Sequence, residues 1–107
     1  MRFLPCVLAA AFVAGAVVAA LAAEHTVNQK GKKFSVSEIA VKKGDKVVFV
    51  NDDNVAHNIF SVTAGNDFNL GSQAAGSSAS VTFDKAGDID VMCAIHPLMK
   101  MKVKVAD

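Results

Sequence analysis

Ile89-Asp90-Val91-Met92-Cys93-Ala94-Ile95-His96-Pro97-Leu98-Met99 is the stretch on which the fold turns. Its first half alternates. Ile89, Val91 and Cys93 share one face, and Asp88, Asp90 and Met92 share the other, the period of two that a half-buried strand shows. The acidic pair marks the solvent side, so Cys93 is predicted to point inward. A loop follows. Beyond it the alternation resumes, with Met99, Met101, Val103 and Val105 on one face and Lys100, Lys102 and Lys104 on the other. The junction therefore places a thiol, an imidazole and a thioether close together between two strands.

Upstream, the same period recurs between turn signals. His25 to Gln29 reads as a short strand, and Lys30-Gly31-Lys32-Lys33 as a polar turn. In Ser37 to Lys42, Ile39 and Val41 are predicted to face inward. Lys43-Gly44-Asp45 is a tight turn, with Gly44 supplying a positive φ. Val47-Val48-Phe49-Val50 is apolar on both faces, which suits a central strand. Asn51-Asp52-Asp53-Asn54 is a turn cluster that delivers the chain to His57, and Asn58 to Val62 returns as a strand. Residues 64–80 are rich in Gly, Ser, Asn and Ala, and read as a surface connection with one or two short strands anchored by Phe68 and Leu70. Val81-Thr82-Phe83 is a further strand. No helical period is evident after residue 23, and turns recur about every ten residues, so the chain is predicted to be all-β, a sandwich or barrel.

The first stretch is different. From Phe3 to Ala23 there is no charged residue, Arg2 provides a minimal basic start, and Ala20-Leu21-Ala22 offers a small-x-small cleavage site. This reads as a secretory signal peptide over 1–22, cut after Ala22 or Ala23 and leaving a domain over 23–107. Retention as an anchor is the alternative, since the run is also long enough to span a bilayer. Loss of Arg2 leaves ten Lys to balance ten Asp plus Glu. A mature charge of zero gives no reason to expect nucleic acid or an anionic membrane as partner.

Of the two cysteines, Cys6 lies in the signal segment, so Cys93 remains alone. A free thiol in an exported chain needs an explanation: an inert core cysteine, a disulfide to a retained Cys6, or a metal ligand. Its neighbours favour the metal. Cys93, His96, Met99 and the distant His57 together make a Cys-His-His set with a weak thioether, the donors of a blue-copper electron-transfer site. Thiolate and thioether hold Cu(I), and the imidazoles also suit Cu(II). Met101, on the same face, is the reserve axial ligand. His25 would become the third residue after a cut at Ala22, where an amino terminus can wrap Cu(II) in a square-planar nitrogen site; an exposed strand-start histidine is the simpler reading. No Ser/His/Asp constellation or carboxylate pair suggests hydrolysis, so no enzyme is expected.

With these residues in view, the chain resembles the cupredoxins of the plastocyanin/azurin group. The spacing Cys-x2-His-x2-Met with one Pro after the His is most similar to the amicyanin branch. Phe34-Ser35, Ile39-x-Val41, Gly44-Asp45, Phe49-Val50-Asn51, His57-Asn58 and Val81-Thr82-Phe83 extend the likeness over the mature chain. The resemblance implies a Greek-key β-sandwich of about seven or eight strands. It implies one copper ion cycling between Cu(I) and Cu(II), held by His57, Cys93, His96 and Met99, with Asn58 donating a backbone N–H toward the thiolate. It implies a periplasmic monomer that shuttles single electrons, docking briefly with redox proteins such as a dehydrogenase or a c-type cytochrome near His96, Pro97 and Leu98. A copper trafficking or storage module is the alternative. One departure stands out: Val91 takes the place of an aromatic common two residues before the Cys, and the chain has neither Tyr nor Trp.

Overall fold

The computed structural model describes residues 21–107. The apolar leader with Cys6 lies outside them, apart from its last residues. Nine strands form two facing sheets. They are β1 (Glu24–Lys30), β2 (Lys33–Phe34), β3 (Glu38–Lys42), β4 (Lys46–Asn51), β5 (Ile59–Ser61), β6 (Phe68–Asn69), β7 (Ser78–Thr82), β8 (Gly87–Cys93) and β9 (His96–Ala106). One sheet runs β2-β1-β4-β7 and the other β3-β9-β8-β5-β6. The chain changes sheet after β2, β3, β4, β6 and β7, and the result is a Greek-key sandwich. The predicted seven or eight strands become nine through β2 and β6, which have two residues each. Such short pairings leave little periodicity to read in a sequence.

Pattern explains the layers. Val47 and Phe49 of β4 are buried and the alternate Val48 and Val50 half-buried, as expected for a strand with neighbours on both sides. Ile89, Val91 and Cys93 of β8 lie beside Met99, Met101, Val103 and Val105 of β9 on the inner face of one sheet, within one core. A run of rings crosses it. Phe34 meets Phe49 edge-on at 6.2 Å, Phe49 stacks on Phe68 at 6.4 Å, and Phe68 meets Phe83 edge-on at 6.0 Å, all within the favourable range for aromatic pairs.

The turns obey their chemistry. Gly44 has φ +89° between β3 and β4. Gly31 and Lys32, both at positive φ, close the β1–β2 hairpin, the twist that a two-residue hairpin requires. Behind the first turn sits Asp45, a buried carboxylate. It accepts the N–H of Lys42 and of Ala23 and faces His25 Nε2, each at 2.9 Å. These donors hold its carboxyl down from 3.8 to about 2, the Lys42 N–H first, then His25, then the Ala23 N–H, with burial opposing. A depressed carboxyl stabilises the fold above its unfolded value, and that stability is lost as pH falls through the folded one. The melting temperature should therefore fall as pH drops from about 4 to about 2, and Asp45→Asn should flatten that limb.

Candidate metal centre

Three chain segments converge at one end of the sandwich. β8 ends on Cys93, two residues turn, and β9 starts on His96, which pairs directly with Cys93. The expected loop is thus a tight hairpin of Ala94 and Ile95, and His96 is the first residue of a strand. Below that pair the ladder loses register. Met92 opposes Lys100, so Pro97, Leu98 and Met99 bulge out of the pairing. Pro97 has no N–H to give, which is a local reason for the break.

His57 arrives from the other side. Its turn is built by Asn51, fully buried at the end of β4. The Asn51 Oδ1 accepts the N–H of Asp53, and its Nδ2 donates to the carbonyls of Val55 and Gln73. His57 then forms a two-way backbone bridge with Gln73, at 3.1 and 2.7 Å. Gln73 is anchored in turn, its Nε2 donating to the Phe49 carbonyl at 2.7 Å and its Oε1 accepting from Gln29 at 2.9 Å. Gln29 Oε1 is the buried side-chain oxygen that lacks a partner among the described residues. These three buried amides sit in stretches that the sequence marks only as strand, turn and surface connection.

The donor atoms come together closely. His57 Nδ1 and His96 Nδ1 are 3.0 Å apart, and Cys93 Sγ lies 3.7 and 3.6 Å from them. A point equidistant from the three is about 2.0 Å from each, a length typical of metal–nitrogen bonds and slightly short for metal–sulfur. His57 is fully buried and its Nε2 faces Asp53 Oδ2 at 3.0 Å. The carboxylate fixes that nitrogen as the N–H donor, which leaves Nδ1 with its lone pair aimed at His96 and Cys93. A thiol sulfur and two imidazole nitrogens crowded this way repel unless a proton or a cation lies among them. The residues present therefore fit a metal ion.

Asp53 is the site residue that sequence reading left inside a turn. The N–H of Lys32 also reaches its Oδ2 at 2.8 Å, and Asn54 N–H its Oδ1. Its carboxyl is held down to about 2, by the Lys32 N–H first, against the cost of burial, and by His57. The i to i+4 spacing from Asp53 to His57 was the available signal. The expected sulfur contact is present: Asn58 N–H points at Cys93 Sγ at 3.4 Å, while the Asn58 carbonyl accepts the N–H of Ala94. The Asn58 side chain goes elsewhere, to Asn69 Oδ1.

Cys93 is 3% exposed and Met99 2%. Met101 is buried too, but it pairs opposite Val91 within the regular ladder, one strand step deeper than the bulge that carries Met99. His96 is half-buried, and Leu98 beside it is 92% exposed. His25 is tied to Asp45 in a strand paired in parallel with β4. An amino-terminal chelate would have to unzip that pairing.

A Cys-His-His cluster at the end of a Greek-key sandwich, with His57 and Cys93 buried and His96 half-buried, is the arrangement of the cupredoxin class. The comparisons agree. The model of the copper binding proteins of the plastocyanin/azurin family matches residues 21–106, so the chain belongs to that family, and copper is its metal. Within the family it is similar to amicyanins. Amicyanin of Paracoccus versutus is 33% identical over 76 residues, 68% of this chain and 58% of that protein. Amicyanin-alpha of Methylorubrum extorquens is 33% identical over 102 residues, 90% of this chain and 86% of that one. The chain thus spans less than two thirds of the Paracoccus protein it matches. Among solved structures, the reduced Cu(I) form at pH 4 of a proline-to-glycine mutant of amicyanin superposes with a TM-score of 0.71 at 29% identity, over 77% of this chain and 81% of that one. A copper-containing nitrite reductase of Thermus scotoductus matches with a TM-score of 0.73 at 25% identity, over 78% of this chain but 22% of that chain.

Proposed function

We propose that the protein is a periplasmic blue-copper electron carrier, with one copper ion held by His57, Cys93 and His96 and by Met99 as the weak axial donor. The observation that carries this reading is the trio of donor atoms 3.0 to 3.7 Å apart, two of them on the buried side chains of His57 and Cys93. Copper would supply the one-electron couple; the chain supplies a fixed frame. Cys93 of β8 is paired to β5 and β9, His57 is bridged to Gln73 and Asp53, and Asn58 N–H points at the sulfur. A frame already set in this way keeps reorganisation small between oxidation states. Burial of Cys93 and Met99 supports a carrier over a trafficking module, because an acceptor protein could not reach those donors to take the metal.

Electrons would pass through His96. Around it Leu98 is 92% exposed, Ile95 is 56% exposed, and Pro97 and Ala94 also face solvent. Apolar residues displayed like this suit brief contact with a redox protein such as a dehydrogenase or a c-type cytochrome. Leu98→Glu should slow second-order electron transfer with the physiological donor by about tenfold or more, the loss of roughly one moderate interface contact. The visible spectrum and the melting temperature should not change. An unaltered rate would remove this patch as the docking face.

A further inference from the structure

Asp45 is a buried carboxylate at the turn between β3 and β4. Its Oδ2 is occupied by the Lys42 N–H and by His25 Nε2, while its Oδ1 accepts the N–H of Ala23 at 2.9 Å. Ala23 is held at its other end too, since its carbonyl accepts the N–H of Lys46 at 3.0 Å. Two residues earlier, Leu21 is 91% exposed. The chain therefore leaves the fold across the Ala22–Ala23 bond, between two small residues, with the nitrogen of that bond already seated on a carboxylate.

We propose that Asp45, held in place by His25 and the Lys42 N–H, is the receptor for the α-ammonium group created when export processing cuts the Ala22–Ala23 bond, so that Ala23 is the first residue of the mature protein. The proposal rests on the export reading given above. In the cut, water supplies hydroxyl to the Ala22 carbonyl carbon, the C–N bond breaks, and the nitrogen of Ala23 takes the protons. The nitrogen stays where it is. A neutral N–H donor becomes a cation beside a carboxylate that is ionised at neutral pH, and charge-assisted hydrogen bonds of this kind are roughly twice as strong as neutral ones. A cut one residue later would remove this partner from Asp45 and the acceptor from Lys46, and would set the new ammonium about 3.8 Å further along the chain. Asp45 Oδ1 is the group that meets the terminus, and His25 sits on the far oxygen of the same carboxylate. The Glu24–Lys46 pair, at 3.4 Å, flanks it with one charge of each sign, and the Lys42 side chain points to solvent.

The test uses the full 107-residue chain exported by a bacterial host. The protein is recovered from the periplasm, weighed intact, and its α-amine titrated by NMR in the reduced state, for wild type and Asp45→Asn. We expect one mass beginning at Ala23 and an α-amine midpoint at least about one pH unit above its ordinary value near 8. Asp45→Asn should return the midpoint to that value. A mass beginning at Glu24 overturns the proposal and leaves the export reading standing; an uncut chain overturns both. A chain beginning at Ala23 whose α-amine titrates normally overturns the receptor role, and the wild-type titration decides this even if the variant does not fold.

Discussion

Cys93→Ser should fold as the wild type does yet lose its response to copper. The substitution is nearly isosteric, and the buried hydroxyl keeps a partner in the Asn58 N–H that now points at the sulfur. What it removes is the soft anionic donor. Cys93 is the free cysteine among the described residues, and no second thiol there can replace it. Cu(I) affinity should fall by at least about 100-fold, the upper end of the range seen when mere outer-sphere partners are lost. In the wild type, copper at about 100 times its dissociation constant should add about 2.7 kcal/mol of stability, read as a rise in melting temperature. The variant should show almost none of that rise. An equal rise in both proteins would mean that copper binds elsewhere.

Asp53→Asn should raise the reduction potential. The side-chain oxygen can still accept from His57 Nε2 and from Lys32 N–H, so the bond that fixes His57 survives; the charge goes, and with it the exposed acceptor of the Asn54 N–H. A carboxylate one imidazole away from the metal favours Cu(II), the more positive state, over Cu(I). Its loss should weaken Cu(II) relative to Cu(I) by about tenfold, equivalent to about 59 mV for a one-electron couple. Asp53→Ala also removes the bond that fixes the His57 tautomer. It should cost about 10- to 100-fold in affinity for both states. Voltammetry of the two variants separates charge from positioning. A potential unmoved in Asp53→Asn would show that the Lys32 and His57 N–H groups neutralise the carboxylate locally.

Much of this was legible from the chain. The face of Cys93 followed from Asp88 and Asp90 opposite it, and the burial of Met99, Met101, Val103 and Val105 from the lysines between them. Alternation reports on burial directly, so those residues lie as expected. The clustering of His57 with Cys93 was legible only through the family resemblance, because periodicity carries no information on contacts 36 residues apart. The tightness of the Cys93–His96 hairpin was not legible. Register is set by where Pro97 breaks the ladder, which composition does not reveal. The supports of His57 were hidden for a different reason. Asn51, Gln73 and Gln29 look like surface residues one at a time; folded, they are buried and linked through Gln73, which accepts from both of the others. Asp53 likewise gains its meaning from Lys32 and His57, which only the folded chain brings to it.

The most direct test of the copper site is the visible absorption and EPR spectrum of the exported protein loaded with one equivalent of Cu(II). Ligation by His57, Cys93 and His96 predicts an intense thiolate-to-copper charge-transfer band with narrow copper hyperfine splitting, both absent in Cys93→Ser. A pale protein with a tetragonal, nitrogen-only spectrum would contradict it, because the three donors at the end of the sandwich would then not be the copper site.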